Sequence, residues 1–348
     1  ENFQSKRKDA ATSLKIGSVW NAGNVVGPMI TNKNDKLLQA FNLEPGESWL
    51  VPPRFIDEKE YMLAPTVKWG VKPQNFSFCT ELFGPLLSVA CIENLEEGIQ
   101  LVNSLDYGLT SGLQSLDEAE QKQWKNSVMA GNLYINRGIT GAIVNRQPFG
   151  GMKLSAFGGG IKAGGPNYCT CFVEITDKPD NKTDYKQSYA KAYQEEFSKA
   201  RDINQLYGEQ NVFRYLPLES MLLRLFPEDT NEAAMMIAYA ARTCGTPLTI
   251  SFDPTDDRSE ALSKTGCVLW TEPLDNFLKK IPQYERIRAC SPNIPKIMYE
   301  QAAAANKYIA TAPPVKQGRI ELIHYIKEQS ISFEYHRYGS ISEVPPCE

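Results

Sequence analysis

The spacing of apolar and polar positions divides this chain into two α/β stretches joined by a polar segment. Residues 1–14 predict a helix, with Phe3, Ala10, Ala11 and Leu14 as its apolar stripe. A short helix is expected around Asp35–Phe41, with extended pieces at Leu50–Pro53 and Tyr61–Lys68. Pro85–Cys91 is a buried-strand pattern, followed by an amphipathic helix over Leu95–Leu105. Gly112–Ser115 predicts a strand, Asp117–Ser127 a helix and Gly131–Ile135 a further strand. This alternation is that of an α/β fold with a parallel sheet. Tyr168–Ile175 alternates enough to predict one more strand, and the polar run Thr176–Asp184 is the natural linker.

A second α/β pattern follows the linker. It opens with a charged helix over 186–202 and a strand at Val212–Tyr215. Thr230 is placed to cap an Ala/Met-rich helix running to Thr243. Strands are expected at Pro247–Phe252, Cys267–Trp270, Ile287–Cys290, Tyr308–Ala312 and Ile331–Tyr335. Leu274, Phe277, Leu278 and Ile281 sit at helical spacing. The pattern implies a small Rossmann-like unit, yet no Gly-x-Gly-x-x-Gly follows any of its strands.

Composition narrows the class. The 348 residues suffice for about two domains. Hydrophobic content of 42%, charged content of 22% and a net charge of −4 fit a globular chain and argue against nucleic-acid binding. No apolar run reaches the ~18 residues of a membrane span, and no secretory signal is visible. Eight scattered cysteines without a Cys-x-x-Cys pair, and two histidines, make a zinc site unexpected and point to a reduced, cytoplasmic protein. The first residue is Glu1, already inside a predicted helix. That start is expected of the trailing part of something longer, of a trimmed chain or of a processed product.

Candidate chemistry concentrates in residues 131–165, which hold ten of the 24 glycines. Gly138-Ile139-Thr140-Gly141-Ala142 could present backbone N–H groups to an anion, or form a surface turn. Phe149, between Pro148 and Gly150-Gly151, could pack on a substrate chain or belong to a core. Phe157-Gly158-Gly159-Gly160 lacks the Gly-Lys-Ser/Thr ending of a phosphate loop. Upstream, Thr80-Glu81-Leu82-Phe83-Gly84-Pro85 offers a carboxylate able to accept two ribose hydroxyls and an aromatic for a flat ring. On residue types alone it reads first as a turn before a strand, with an exposed Glu81 and a core Phe83. Cys169 and Cys171, two apart on a predicted strand, would share a face as small core or interface residues or as a redox pair. His336, in Tyr335-His336-Arg337-Tyr338-Gly339, is a lone histidine for which no carboxylate or metal partner is identifiable.

Taken in order, these segments resemble one family. Leu14-Lys15-Ile16-Gly17 through Val26-Gly27-Pro28, Glu81–Pro85, Tyr107-Gly108-Leu109-Thr110-Ser111-Gly112-Leu113, Gly131–Asn136 and Pro148–Gly151 are similar to the C-terminal part of the aldehyde dehydrogenase superfamily. Asn136–Val144 and Arg146–Gly151 narrow the resemblance to 1-pyrroline-5-carboxylate (L-glutamate γ-semialdehyde) dehydrogenases, in particular that half of the bifunctional proline utilization A type. Residues 200–215 and 330–339 resemble the extra C-terminal domain of longer members, a Rossmann-like unit without cofactor that ends in a motif covering the substrate channel.

The resemblance implies a catalytic-domain portion over 1–167, an oligomerisation-flap strand and linker over 168–184, and the Rossmann-like domain over 185–348. It implies NAD as cofactor, with Glu81 on the nicotinamide ribose and Phe83 beside the nicotinamide. It places Thr140, Gly141 and Ala142 on the α-carboxylate of glutamate semialdehyde and Phe149 on its aliphatic chain. FAD is implied only if a proline dehydrogenase domain lies upstream in the same polypeptide, and a homo-oligomer is implied through 168–175.

The family's Gly-Gln-x-Cys nucleophile motif, its oxyanion amide and its general base are not in this chain, and none of the eight cysteines has the required neighbours. The expectation is therefore the C-terminal portion of a semialdehyde dehydrogenase, inactive alone. A scaffold or interaction protein of dehydrogenase-like shape is the alternative, and a free nucleotide-binding module has the least support.

Overall fold

The computed structural model describes residues 2–31, 34–57, 61–140, 146–178, 181–337 and 340–341. The chain divides into two compact units, Glu1–Leu105 and Asp106–Glu348.

The first unit opens with α1 (Asn2–Ser13), which buries none of its residues. Its sheet has β1 (Ser48–Val51) antiparallel to β2 (Thr66–Trp69), with β3 (Leu86–Val89) parallel on the other side of β2. Leu37, Ala40, Leu63 and Leu82 form its small core. Lys68 of β2 is buried, but its ammonium meets Glu47 at 2.9 Å and the Asn42 carbonyl at 2.9 Å. A buried cation is tolerated only with such partners. Helix α2 (Leu95–Ser104) closes the unit, its first turn capped by the Asn94 side chain on Glu97 N.

The second unit holds two five-stranded sheets. The first contains β4 (Thr110–Leu113), β5 (Asn132–Ile135), β6 (Arg201–Asp202), β7 (Glu209–Pro217) and β13 (Ile326–Glu334), in the order β6-β7-β13-β5-β4. Helix α3 (Glu118–Ser127), capped by Asp117, connects β4 to β5, and both pair in parallel as a right-twisted crossover requires. Strand β13 lies between β7, antiparallel, and β5, parallel. Strands from before and after residues 168–184 thus share one sheet.

The second sheet is wholly parallel. Its strands are β8 (Met221–Arg224), β9 (Leu248–Phe252), β10 (Val268–Thr271), β11 (Arg286–Arg288) and β12 (Tyr308–Ala310), in spatial order β10-β9-β8-β11-β12. Numbered within the sheet this is 3-2-1-4-5, the doubly wound order. Helix α4 (Tyr185–Ala192) precedes β6, and α5 (Asn231–Cys244), α6 (Leu274–Lys280) and α7 (Lys296–Ala304) flank the sheet. Thr230 caps α5 as expected, accepting from Ala233 N at 3.1 Å. Gly245 ends it in the left-handed conformation.

Three expectations need correction. Tyr168–Ile175 is not a strand. Tyr168–Phe172 is a 3-10 turn, because the Asn167 carbonyl accepts both the backbone N–H and the hydroxyl of Thr170, and Tyr168 packs edge-on against Phe172. Cys169 and Cys171 therefore lie on an exposed turn rather than on one face of a strand. The helix expected over 186–202 ends at Phe197, since Arg201 and Asp202 pair with Phe213 and Val212 instead. The central strand β8 was not expected at all.

Gln329 of β13 is fully buried and meets its whole bonding capacity. Its amide N donates to the Val128 and Ala130 carbonyls, and its oxygen accepts from Nε and Nη2 of Arg214. Gln329→Leu would keep the volume but remove the acceptor of Arg214 Nε and the donor to two carbonyls, leaving Arg214 only its bonds to Asn126 and the Lys125 carbonyl. A loss of about 2–4 kcal/mol is expected, read by urea unfolding of the chain.

Candidate active site

Helix Phe76–Cys79 ends at Thr80, and the chain then alternates outward and inward. Leu82 is buried against Leu37, Ala40 and Leu63, and its carbonyl accepts from the Asn34 amide at 2.6 Å. That anchoring turns its neighbours outward: Glu81 is exposed and Phe83 is 75% exposed. Phe83 is therefore not a core aromatic. It also adopts φ 46°, a left-handed conformation that costs a non-glycine residue about 1–2 kcal/mol. The turn is held tight behind it. A Cβ on Gly84 would lie 2.5 Å from Leu37 Cδ2. An exposed carboxylate and a ring held out by a strained turn fit a cofactor carrying a ribose diol and a flat heterocycle.

In the second unit, β5 leads into the expected carboxylate-anchoring segment. Asn136 takes φ 58°, and its side-chain amide pairs with both N and O of Ser115, at 3.0 and 2.8 Å. This two-sided bond holds the chain's exit from the sheet. Arg137 then meets Glu209 at 2.8 Å and the Ser332 hydroxyl, while Arg146 meets the other oxygen of Glu209 at 3.2 Å. One carboxylate of β7 thus holds residues on both flanks of the segment. Thr140 is exposed on it. Gly141 and Ala142 lie outside the described residues.

Phe149 sits on a hairpin: its N–H and carbonyl both pair with Ala163, each at 3.0 Å. The surrounding glycines serve close packing. A Cβ on Gly131 would lie 2.0 Å from the Gly150 carbonyl oxygen, and one on Gly151 would lie 2.3 Å from the Ser155 carbonyl. The hairpin's far arm carries Lys162, which is fully buried. Its ammonium donates to the Gly150 carbonyl and to Asn132 Oδ1. Burial pulls its pKa down to about 7, with Glu328 opposing the shift. Burial likewise pushes the Glu328 carboxyl up.

Glu81 and Phe83 therefore come together in the first unit, and Thr140 and Phe149 belong to the second. Glu209 and Lys162 were not foreseen. Glu209 reaches the segment from far along the chain. Lys162 did carry a signal, a single cation set among Gly158–Gly160, Ile161 and Ala163–Gly165. Of the cysteines, burial raises the thiol pKa of Cys171, Cys244, Cys267 and Cys290, the last to about 12. A raised thiol is a poor nucleophile at neutral pH. Among the described residues no group of three His, Cys, Asp or Glu could hold a metal, and no helix is long and apolar enough to cross a membrane.

The model of the aldehyde dehydrogenase family matches residues 1–177. The chain belongs to the aldehyde dehydrogenase family. Relatives of this chain include 1-pyrroline-5-carboxylate dehydrogenase 1 of Halalkalibacterium halodurans, 32% identical over 166 residues, covering 47% of this chain and 32% of that protein. The 1-pyrroline-5-carboxylate dehydrogenase of Staphylococcus aureus is 33% identical over 169 residues, covering 47% and 32%. The structure of proline utilization A from Corynebacterium freiburgense matches 97% of this chain and 34% of its own, at 34% identity and a TM-score of 0.80. The chain spans about a third of the length of each of these proteins.

Two outcomes follow from the geometry of this aldehyde dehydrogenase chain. Phe83→Asn relieves the left-handed strain, because asparagine tolerates that conformation and the exposed ring contributes little packing. Urea unfolding should show stability raised by up to about 1 kcal/mol. Lys162 has a folded-state pKa near 7 against an ordinary 10.5, so the unfolded chain binds more protons between those values. Its contribution makes stability rise with pH across that window and fall away toward pH 7. Glu328, raised from 4.5, acts oppositely, favouring the folded chain in acid and losing that stability as pH rises. Unfolding midpoints from pH 6 to 10.5 should show the alkaline rise flattened in Lys162→Met.

Proposed function

We propose that this chain is the aldehyde-recognising, C-terminal portion of an NAD-dependent L-glutamate γ-semialdehyde dehydrogenase, followed over 185–348 by a Rossmann-like unit without cofactor. The observation that carries this reading is the likeness to proline utilization A over 97% of the chain, and so over nearly all of that second stretch. The site geometry supports it. Glu81, exposed beside the buried Leu82, would accept hydrogen bonds from the nicotinamide ribose, and Phe83 would pack beside the nicotinamide. Bound NAD supplies the hydride acceptor of an aldehyde oxidation.

Backbone donors at Thr140, Gly141 and Ala142 would take the substrate's α-carboxylate, and Phe149 its aliphatic chain. Backbone N–H groups suit this task because they bind a carboxylate without titrating. The nucleophile, oxyanion amide and general base would be supplied by an upstream remainder of the same polypeptide. An upstream proline dehydrogenase domain would bring FAD. The exposed Phe172 and Val173 support assembly of copies through 168–175, and a cytoplasmic location suits the free thiols.

The purified 348-residue chain should form no NADH from L-glutamate γ-semialdehyde, followed at 340 nm. A polypeptide extended upstream through a Gly-Gln-x-Cys segment should turn over. Turnover by the chain alone would refute the missing-nucleophile reading. An inactive extended polypeptide would favour the scaffold alternative.

A further inference from the structure

The backbone around Phe149 is held more completely than a surface hairpin requires. Three successive carbonyls each have a partner from a different part of the second unit. Pro148 O accepts from the Ser330 hydroxyl of β13 at 2.6 Å. Phe149 O accepts from Ala163 N at 3.0 Å. Gly150 O accepts from the Lys162 ammonium and from the Asn132 amide of β5, the latter at 3.0 Å. Asn132 is itself fixed, since its amide N also donates to Leu109 O at 2.8 Å.

Lys162 is fixed in turn, its backbone N–H donating to Glu328 Oε2 at 2.7 Å. The other Glu328 oxygen accepts from Asn167 at 2.6 Å. With the main chain pinned at 148, 149 and 150, Phe149 keeps only its two side-chain torsions. Its ring can then sweep only a small volume.

Burying an ammonium is costly, and an apolar side chain of similar length would fill the same space more favourably. A methionine could pack against the hairpin but could not donate to Gly150 O. The N–H donor therefore answers a positional need. We propose that Lys162 is a positioning residue for aldehyde recognition. Its ammonium fixes the Gly150 carbonyl, and so fixes the backbone from which Phe149 reaches the aliphatic chain of an amino-acid semialdehyde. This rests on the reading of Phe149 as a substrate contact. Small aldehydes, with no chain to meet the ring, gain nothing from the clamp.

The test compares Lys162→Met with the unchanged sequence in two ways. In the 348-residue chain, hydrogen exchange at the Phe149 and Ala163 amides should quicken about tenfold or more, the loss expected of a charge-assisted bond. Amides of Leu248–Phe252 should not change. In the upstream-extended polypeptide, KM for L-glutamate γ-semialdehyde should rise about tenfold while kcat falls less than about threefold, with kcat/KM for propanal kept within about threefold.

Unchanged exchange at Phe149 and Ala163 overturns the proposal and leaves the role of Phe149 standing. Faster exchange with an unchanged KM overturns the substrate contact at Phe149. An equal loss on both aldehydes overturns positioning in favour of general damage. If Lys162→Met does not fold, Ser330→Ala removes a second clamp on the same segment and should give the same pattern at smaller amplitude. Its absence there counts against the proposal equally.

Discussion

Strand β13 is the constraint on which the second unit depends. Ser330–Phe333 pair in parallel with Asn132–Ile135, and Glu209–Pro217 pair along its other edge. Because strand side chains alternate, Glu328, Ser330, Ser332 and Glu334 share one face. Each touches the glycine-rich wall or its flank: Glu328 holds Lys162 N, Ser330 holds Pro148 O, and Ser332 and Glu334 hold Arg137. On the opposite face Gln329 engages Arg214 and the approach to β5. A polar strand at the centre of a sheet is costly unless every group is paired. Here the pairing of that strand shapes the surface on which Thr140 and Phe149 stand. A slip of one residue would turn all four polar side chains away from the wall.

Most of the architecture was legible before the structure. Helices with clear periodicity or a cap, such as Leu95–Ser104 and Asn231–Cys244, fell where their spacing put them. The failures have physical causes. Strand β8, Met221–Arg224, is a four-residue run buried on both faces, so it has no alternation to read. The first half of β13, Ile326–Ser330, is polar, because its partners are side chains and carbonyls from elsewhere in the chain. Tyr168–Phe172 has the composition of a strand, but one local acceptor, the Asn167 carbonyl, draws it into a turn. In β13 and at Tyr168–Phe172 bonds formed at a distance, or a very local one, outweighed intrinsic preference.

The candidate site divides in the same way. The order of short motifs identified the family, because each fixes a backbone feature that close packing demands. Gly131 and Gly151 admit no Cβ against backbone, and one at Gly84 would have to displace the Leu37 side chain. Exposure was not legible: Phe83 looks like a core residue until Leu82 is seen to take the buried position between it and Glu81. Supporting residues were least legible of all. Glu209 has no signature of its own, and Lys162 has only its place as a lone cation in a glycine-rich run, since their roles arise from where β7, β5 and β13 bring their partners.

The parallel sheet of the second unit has the strand order of a dinucleotide-binding fold, yet its own side chains fill the carboxyl ends of β8, β9 and β10. Arg224 donates to the Ser251 hydroxyl and the Glu272 carbonyl, and the Glu272 carboxylate accepts from Ser251 and Lys280. Beside the start of α5, a cavity of about 320 Å³ is lined by Asp177, Glu228, Asp229 and Glu232, with Lys316 the cation among them. A helix N-terminus attracts phosphate, but four carboxylates around it repel one. These features support the proposal that this sheet braces rather than binds a nucleotide. Arg286 of β11 reaches across to the Gly159 carbonyl of the glycine-rich hairpin at 2.9 Å and to the His324 carbonyl just before β13 at 2.7 Å. The same strand order that elsewhere presents a crevice to a cofactor here presents an arginine to the glycine-rich hairpin.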